Sequence, residues 1–197
     1  MASSRNTEAR LLDAASELFY EEGFGPTAVD RIVERSGVSK PTLYVHFPSK
    51  DALLVATLER RHAERVSMLD RWVRAASSDP AEQLLAVFDW LAEWHETEGA
   101  RGCAFVNTVA ELADPAHPAR EVARRQKRWM RDYLAGLATA AGLAEPARLA
   151  GDLMLLVDGA NARVLVEGDL AAAHDARRIA AVIVKETTLV EKSRGQR

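Results

Sequence analysis

From Ser36 to Lys50 the chain carries hydroxyls, cations and small apolar groups and not one acid. Ser39, Lys40, Pro41, Thr42, Tyr44, Val45, His46 and Lys50 supply them. Such a set can bond base edges, cover thymine methyls and neutralise phosphates, which are the contacts a protein makes in a DNA major groove. It needs a rigid element to present it. Gly37 can take a turn with positive φ. Ser39 can cap a helix, and Pro41 suits its first turn. Pro48 disfavours helix at Phe47, and Ser49 can cap the next helix. About two turns of helix remain. Leu43 and Phe47, spaced i, i+4, point together towards a core. Pro41, Thr42 and Val45 form the outer face, flanked by Lys40, Tyr44 and His46.

Just upstream, Thr27-Ala28-Val29-Asp30 matches a capping box, and Val29, Ile32 and Val33 make the stripe of a short helix ending near Arg35. Helix, glycine turn and short helix make a helix-turn-helix. Residues 14–54, with Phe19, Gly23, Thr27, Ile32, Gly37-Val38-Ser39, Leu43-Tyr44, His46-Phe47 and Ser49-Lys50 at matching spacing, resemble the N-terminal domain of TetR-type transcriptional repressors. The resemblance implies a homodimer on double-stranded operator DNA, released by a small-molecule effector. It implies that Lys40, Pro41, Thr42 and Val45 face base edges. Thr27, Tyr44, His46 and Lys50 would then hold phosphates, with Ser39 beside them at the helix start. The rival reading is an all-helical small-molecule binder with a vestigial DNA domain.

The periodicities downstream predict an all-α chain of about nine helices. A first helix is expected over 7–22, after a polar tail (1–6) expected to be disordered. A long one runs from Ser49 to about Ala76. Asp79-Pro80 opens a helix whose apolar arc spans two faces, Leu84, Phe88, Leu91 and His95 on one and Val87, Trp90 and Trp94 on the other. So wide an arc is surrounded by other helices. Shorter patterns follow over Cys103–Leu112 and from Val122 towards Gly142, then 146–168 and 173–191, before a charged tail. The domains expected are 1–47 for DNA and 48–197 for regulation and dimerisation. The last two helices, with Gly151, Gly159, Ala160 and Ala162 permitting close approach, are expected to pair with a second copy.

Trp90, Trp94, Phe105 and Trp129, with Tyr133 on the same inner side as Trp129, read by themselves as solid core, and the family resemblance sets a ligand chamber on an equal footing. The family resemblance places the effector at the centre of the second domain. His95, Asn107 and Glu111 are then the candidate orienting groups. Asp158 and Asn161 interrupt an apolar helix and need partners: each other, a second copy or a ligand. Arg124-Arg125, Lys127-Arg128 and Arg131 read as the solvated side of an amphipathic helix, or as an anion-binding surface.

The chain has 197 residues and a net charge of −3, and 48% of it is hydrophobic. Residues 1–50 hold six Arg and Lys against seven Asp and Glu, so even the DNA half is not basic. That disfavours strong non-specific binding but leaves groove reading open. Cys103 is the only cysteine. No intrachain disulfide can form, which fits a cytoplasmic protein. No metal, cofactor, membrane span or catalytic cluster is signalled, so an enzyme is not expected.

Overall fold

The computed structural model describes residues 2–194, with side chains from 5 to 187; residues 195–197, the end of the expected charged tail, lie outside the described residues. Among these residues the chain forms nine helices and no strand. It divides into two compact units, 1–64 with 104–126 and 65–103 with 127–197.

In the first unit, α1 (Ala2–Glu21), α2 (Val29–Ser36) and α3 (Lys40–His46) precede the start of α4 (Lys50–Ala76). Leu11, Ala15, Leu18, Ile32, Leu43 and Leu53 are fully buried in its core, and Phe47 nearly so. Helix α1 begins at Ala2, so the expected disordered tail is instead continuous with the first helix. Gly37 has φ +63°, and its N–H bonds the carbonyls of Val33 and Glu34, closing α2. A side chain would be strained there, and a Cβ would also meet the Arg10 guanidinium at 2.7 Å. That guanidinium donates to the Ser36 carbonyl at 2.6 Å, locking α1 onto the turn. Ser39 caps α3 by accepting from the Thr42 N–H, and Ser49 caps α4 by accepting from Ala52.

The same unit contains α6 (Ala104–Glu111) and the first turns of α7 (Pro118–Ala140). Arg120 donates to the carbonyls of Val109, Leu112 and Asp114, satisfying the open end of α6. His117 Nδ1 accepts from the Ala119 N–H at 3.1 Å at the start of α7.

The second unit is built around α5 (Pro80–Thr97), with α8 (Pro146–Glu167) and α9 (Ala172–Arg194) packed on it and on each other. Asp79 caps α5 and Pro80 is its first residue. Nine of its residues are buried, from Leu84 to His95, which is the wide arc the sequence shows. Gly102, at φ +63°, lies so close to α8 that a Cβ would sit 2.5 Å from the Asn161 carbonyl oxygen. Only glycine fits both the turn and the approach.

Candidate nucleic-acid interface and aromatic cluster

Helix α3 buries Leu43 and turns the rest outward. Val45 is 83% exposed and Tyr44 43%. Lys40 and Pro41 are exposed beside them, while Thr42 and His46 are partly buried. An exposed valine next to an exposed tyrosine on a two-turn helix has no packing explanation within the unit. Ser39 and Thr42 share a bond between their hydroxyls at 2.7 Å, which orders the helix start.

Three of the expected contacts sit differently. Thr27 is fully buried, and its hydroxyl donates to the Gly23 carbonyl at 2.6 Å. It closes the turn after α1 and offers no hydroxyl to a phosphate. It does not cap α2 either, since Ala28 holds the cap position without a side-chain bond. Lys50 donates to the Gly25 carbonyl at 3.2 Å, and its ammonium lies 4.3 Å from the Phe24 ring centroid. Burial lowers its pKa against the pull of Asp51 and Glu111. Lys40 donates to Asp30 on α2 at 2.7 Å, so the acid-free stretch acquires an acid from outside it.

The expected ligand residues divide between the units. Phe105, Asn107 and Glu111 lie on α6 in the first. Glu111 is exposed there and accepts the Gly25 N–H at 2.8 Å, so its carboxylate is spent on the loop before α2. Phe105 is fully buried. Trp90, Trp94, His95, Trp129 and Tyr133 belong to the second. Trp90 and Trp94 stack with centroids 6.1 Å apart and planes 10° apart. The Arg65 guanidinium carbon stands 3.9 Å from the Trp94 centroid and 5.5 Å from that of Trp90. A guanidinium buried against two indoles makes cation–π contacts strengthened by desolvation. Trp129 and Tyr133 stack separately at 5.5 Å. Burial, and then the charge of Asp70, pushes the Tyr133 phenol up to about 12, and Asp70 also hydrogen-bonds it.

His95 is 1% exposed. Asn161 gives its amide N–H to the Val157 carbonyl at 2.8 Å, so its oxygen faces His95 Nε2 at 3.3 Å. That arrangement assigns the proton to Nε2. Asp158 accepts from Lys127 on α7, so each polar interruption of α8 has a partner within the chain. Arg124 and Arg125 likewise meet Glu121 and Glu59, which is how a solvated helix face spends its cations.

Sequence reasoning missed Asp30 and Arg65. Arg65 was detectable: with Leu69 and Val73 it continues a buried i, i+4 line along α4.

Burial holds His95 below its ordinary value of 6.5, and the Arg65 charge adds to the lowering while the Asn161 bond opposes it. The unfolded chain therefore takes up a proton first as pH falls, and the stability present above about 6.5 is lost below it. Urea midpoints should be lower at about pH 5.5 than at about pH 7.5, and His95→Gln should reduce the difference. His62, also lowered by burial and then by Arg125, leaves a residual slope. An unchanged pH difference in His95→Gln would show that His95 is not its source.

The family described as bacterial regulatory proteins, tetR family, matches residues 11–57, and that described as tetracyclin repressor-like, C-terminal domain, matches residues 80–180. The HTH-type transcriptional regulator YjdC of Escherichia coli K12 is 28% identical over 176 residues, covering 89% of this chain and 92% of YjdC. The TetR-family regulator SCO4454 of Streptomyces coelicolor superposes with a TM-score of 0.78 at 30% identity, covering 90% of this chain and 97% of that one. A TetR-type regulator of Streptomyces avermitilis, sav143, gives 0.74 at 31%, with 88% and 97% covered. The two matches, taken with the exposed face of α3, define a helix-turn-helix DNA-binding transcriptional regulator. The chain belongs to the TetR family. Its relatives are regulators and not enzymes. No described helix is long and apolar enough to cross a membrane.

Proposed function

We propose that this protein is a cytoplasmic repressor that acts as a homodimer and leaves its operator when a small molecule binds. Residues 1–47 read DNA and 48–197 regulate and dimerise. The exposed face of α3, above all Val45, carries this reading, because that face is held rigidly outward by a buried Leu43 and a capped start. Lys40, Pro41 and Val45 face base edges, and Tyr44 and His46 lie nearer the phosphates. Thr42 is half-buried and contributes at the helix start. Lys50 reaches a phosphate only by leaving the Gly25 carbonyl.

The effector reading rests on the cluster of Trp90, Trp94 and His95 in the second unit. These aromatics are buried against one another, so a flat, apolar ligand oriented by His95 would have to open space between them to enter. Helix α4 is unbroken from Lys50 to Ala76 and carries the chain from the helix-turn-helix into the second unit's residues. A ligand displaces the repressor only if it prefers the state that cannot bind DNA.

Enrichment from random duplexes should yield a two-fold symmetric site, its half-sites about 34 Å apart. Tyr44→Ala should weaken binding to every sequence. Val45→Ala should change the preferred base at one position per half-site, with a discrimination of ~1–3 kcal/mol at stake. If both variants keep wild-type affinity and preference, α3 is not the reading element.

A further inference from the structure

Most of the cations around the helix-turn-helix are committed within the protein. Arg31 pairs with Glu22 at 2.8 Å, Arg35 with Glu17 at 3.0 Å and Arg60 with Asp13 at 2.8 Å. Arg10 is spent on the Ser36 carbonyl and Lys50 on that of Gly25. The remaining cation at the groove-facing helix, Lys40, is the first residue of α3 and pairs with Asp30, the second residue of α2, at 2.7 Å. The Asp30 carboxylate is 76% exposed and the Lys40 side chain 48%, so the pair stands in solvent on the DNA-facing surface.

An ammonium has three donors, and a single carboxylate contact takes one of them. Its charge is another matter. Affinity for random DNA comes from cations that displace counterions from phosphates, and a cation already balanced by an acid contributes little to that. A base edge is read differently, through donors and acceptors at fixed positions. Asp30 therefore cancels the charge of Lys40 while leaving donors free for an acceptor such as a guanine edge. Exposed pairs are weakly held, so the ammonium can turn without a large cost.

We propose that Asp30 is a specificity-determining residue: by neutralising Lys40 it suppresses binding to random DNA, while leaving Lys40 able to donate to a base at the matched site. This rests on the placement of Lys40 at base edges. Asp30 itself need touch no base. It acts on the ratio of specific to non-specific binding, and that ratio is what counts where random sites far outnumber operators.

The test measures binding of the full-length protein to two duplexes of equal length, one enriched from a random pool and one scrambled, across a salt series. Asp30→Asn should raise affinity for the scrambled duplex several-fold and steepen its salt dependence by about 0.9 in log–log slope per protomer, one added phosphate contact each. Affinity for the enriched duplex should rise less, so the ratio falls. Asp30→Glu, which keeps the charge, should preserve the ratio. In a Lys40→Ala background, Asp30→Asn should leave the ratio unchanged, since no cation remains to be freed. Equal gains on both duplexes, or the same fall in ratio without Lys40, would mean a uniform charge effect and overturn the proposal. Lys40→Ala alone separates the two layers. If it leaves both affinity and base preference intact, the placement of Lys40 at DNA is itself wrong. If it lowers the affinity for the enriched duplex while Asp30→Asn acts uniformly, only the role of Asp30 fails.

Discussion

Replacing Trp94 with alanine should destabilise the protein by about 3–5 kcal/mol, the range for emptying a buried aromatic site. Trp94 is 3% exposed and is held from several sides. Trp90 stacks against it, the Arg65 guanidinium lies over its ring, and Gly99 passes so close that a Cβ would come within 2.5 Å of the ring. The variant loses packing and leaves a buried guanidinium without one of its two aromatic faces, which adds to the cost. For a chain of this length each kcal/mol lowers the melting temperature by about 2–4 °C, so the shift should be unmistakable in a thermal melt. Indole supplies a second readout. If the space stays open, millimolar indole should recover part of the loss in Trp94→Ala and do nothing for the wild type, because a ligand stabilises only the folded form it binds. A melting temperature within about 3 °C of wild type would show that the cluster is a preformed chamber and not packed core.

Val182→Glu should convert a dimer into a monomer. Helices α8 and α9 bury one side against each other and α5, yet carry large apolar groups outward: Leu155 at 72% exposed, Val166 at 79%, Val182 at 53%. Gly159 is exposed, and a Cβ there would meet nothing within 4 Å, so a second backbone could come close. Exposed apolar surface of this kind marks an interface. A two-fold axis would bring Val182 near its own copy, where glutamates would have to be desolvated without partners. Ile183 is the poorer probe, because it is half-buried against the unit's own core. Sedimentation should report a monomer, and operator affinity should fall by ~10²–10⁴, since one helix-turn-helix then binds without its tethered partner. A tight Val182→Glu dimer would place the seam elsewhere.

Most of the helical frame was legible in the residues themselves, because its signals are local. Gly37 and Ser39 turned and capped the chain as their chemistry demands, and the Asp79-Pro80 pair opened α5. The stripe of Leu43 and Phe47 announced which face of α3 is buried, and so which is left for DNA. The width of the α5 arc announced that it lies inside. All of these depend on neighbours within about one helical turn or on periodicity along one helix.

Partnerships across distance were not legible. One local competition was missed as well: Thr27 fits a capping box, yet its hydroxyl turns back to the Gly23 carbonyl four residues away. Glu111 suits a ligand site by position, but the fold sets it against Gly25, 86 residues away in sequence. The stretch 36–50 is free of acids, and the sequence therefore presents Lys40 as a bare cation; folding of α2 beside α3 brings Asp30 to it. Arg65 ends up against two tryptophans for the same reason. A single sequence records which donors and charges exist, and how each helix turns its faces only through local spacing. Which acid answers which cation is set by the packing of helices against one another, and only the tertiary structure contains it.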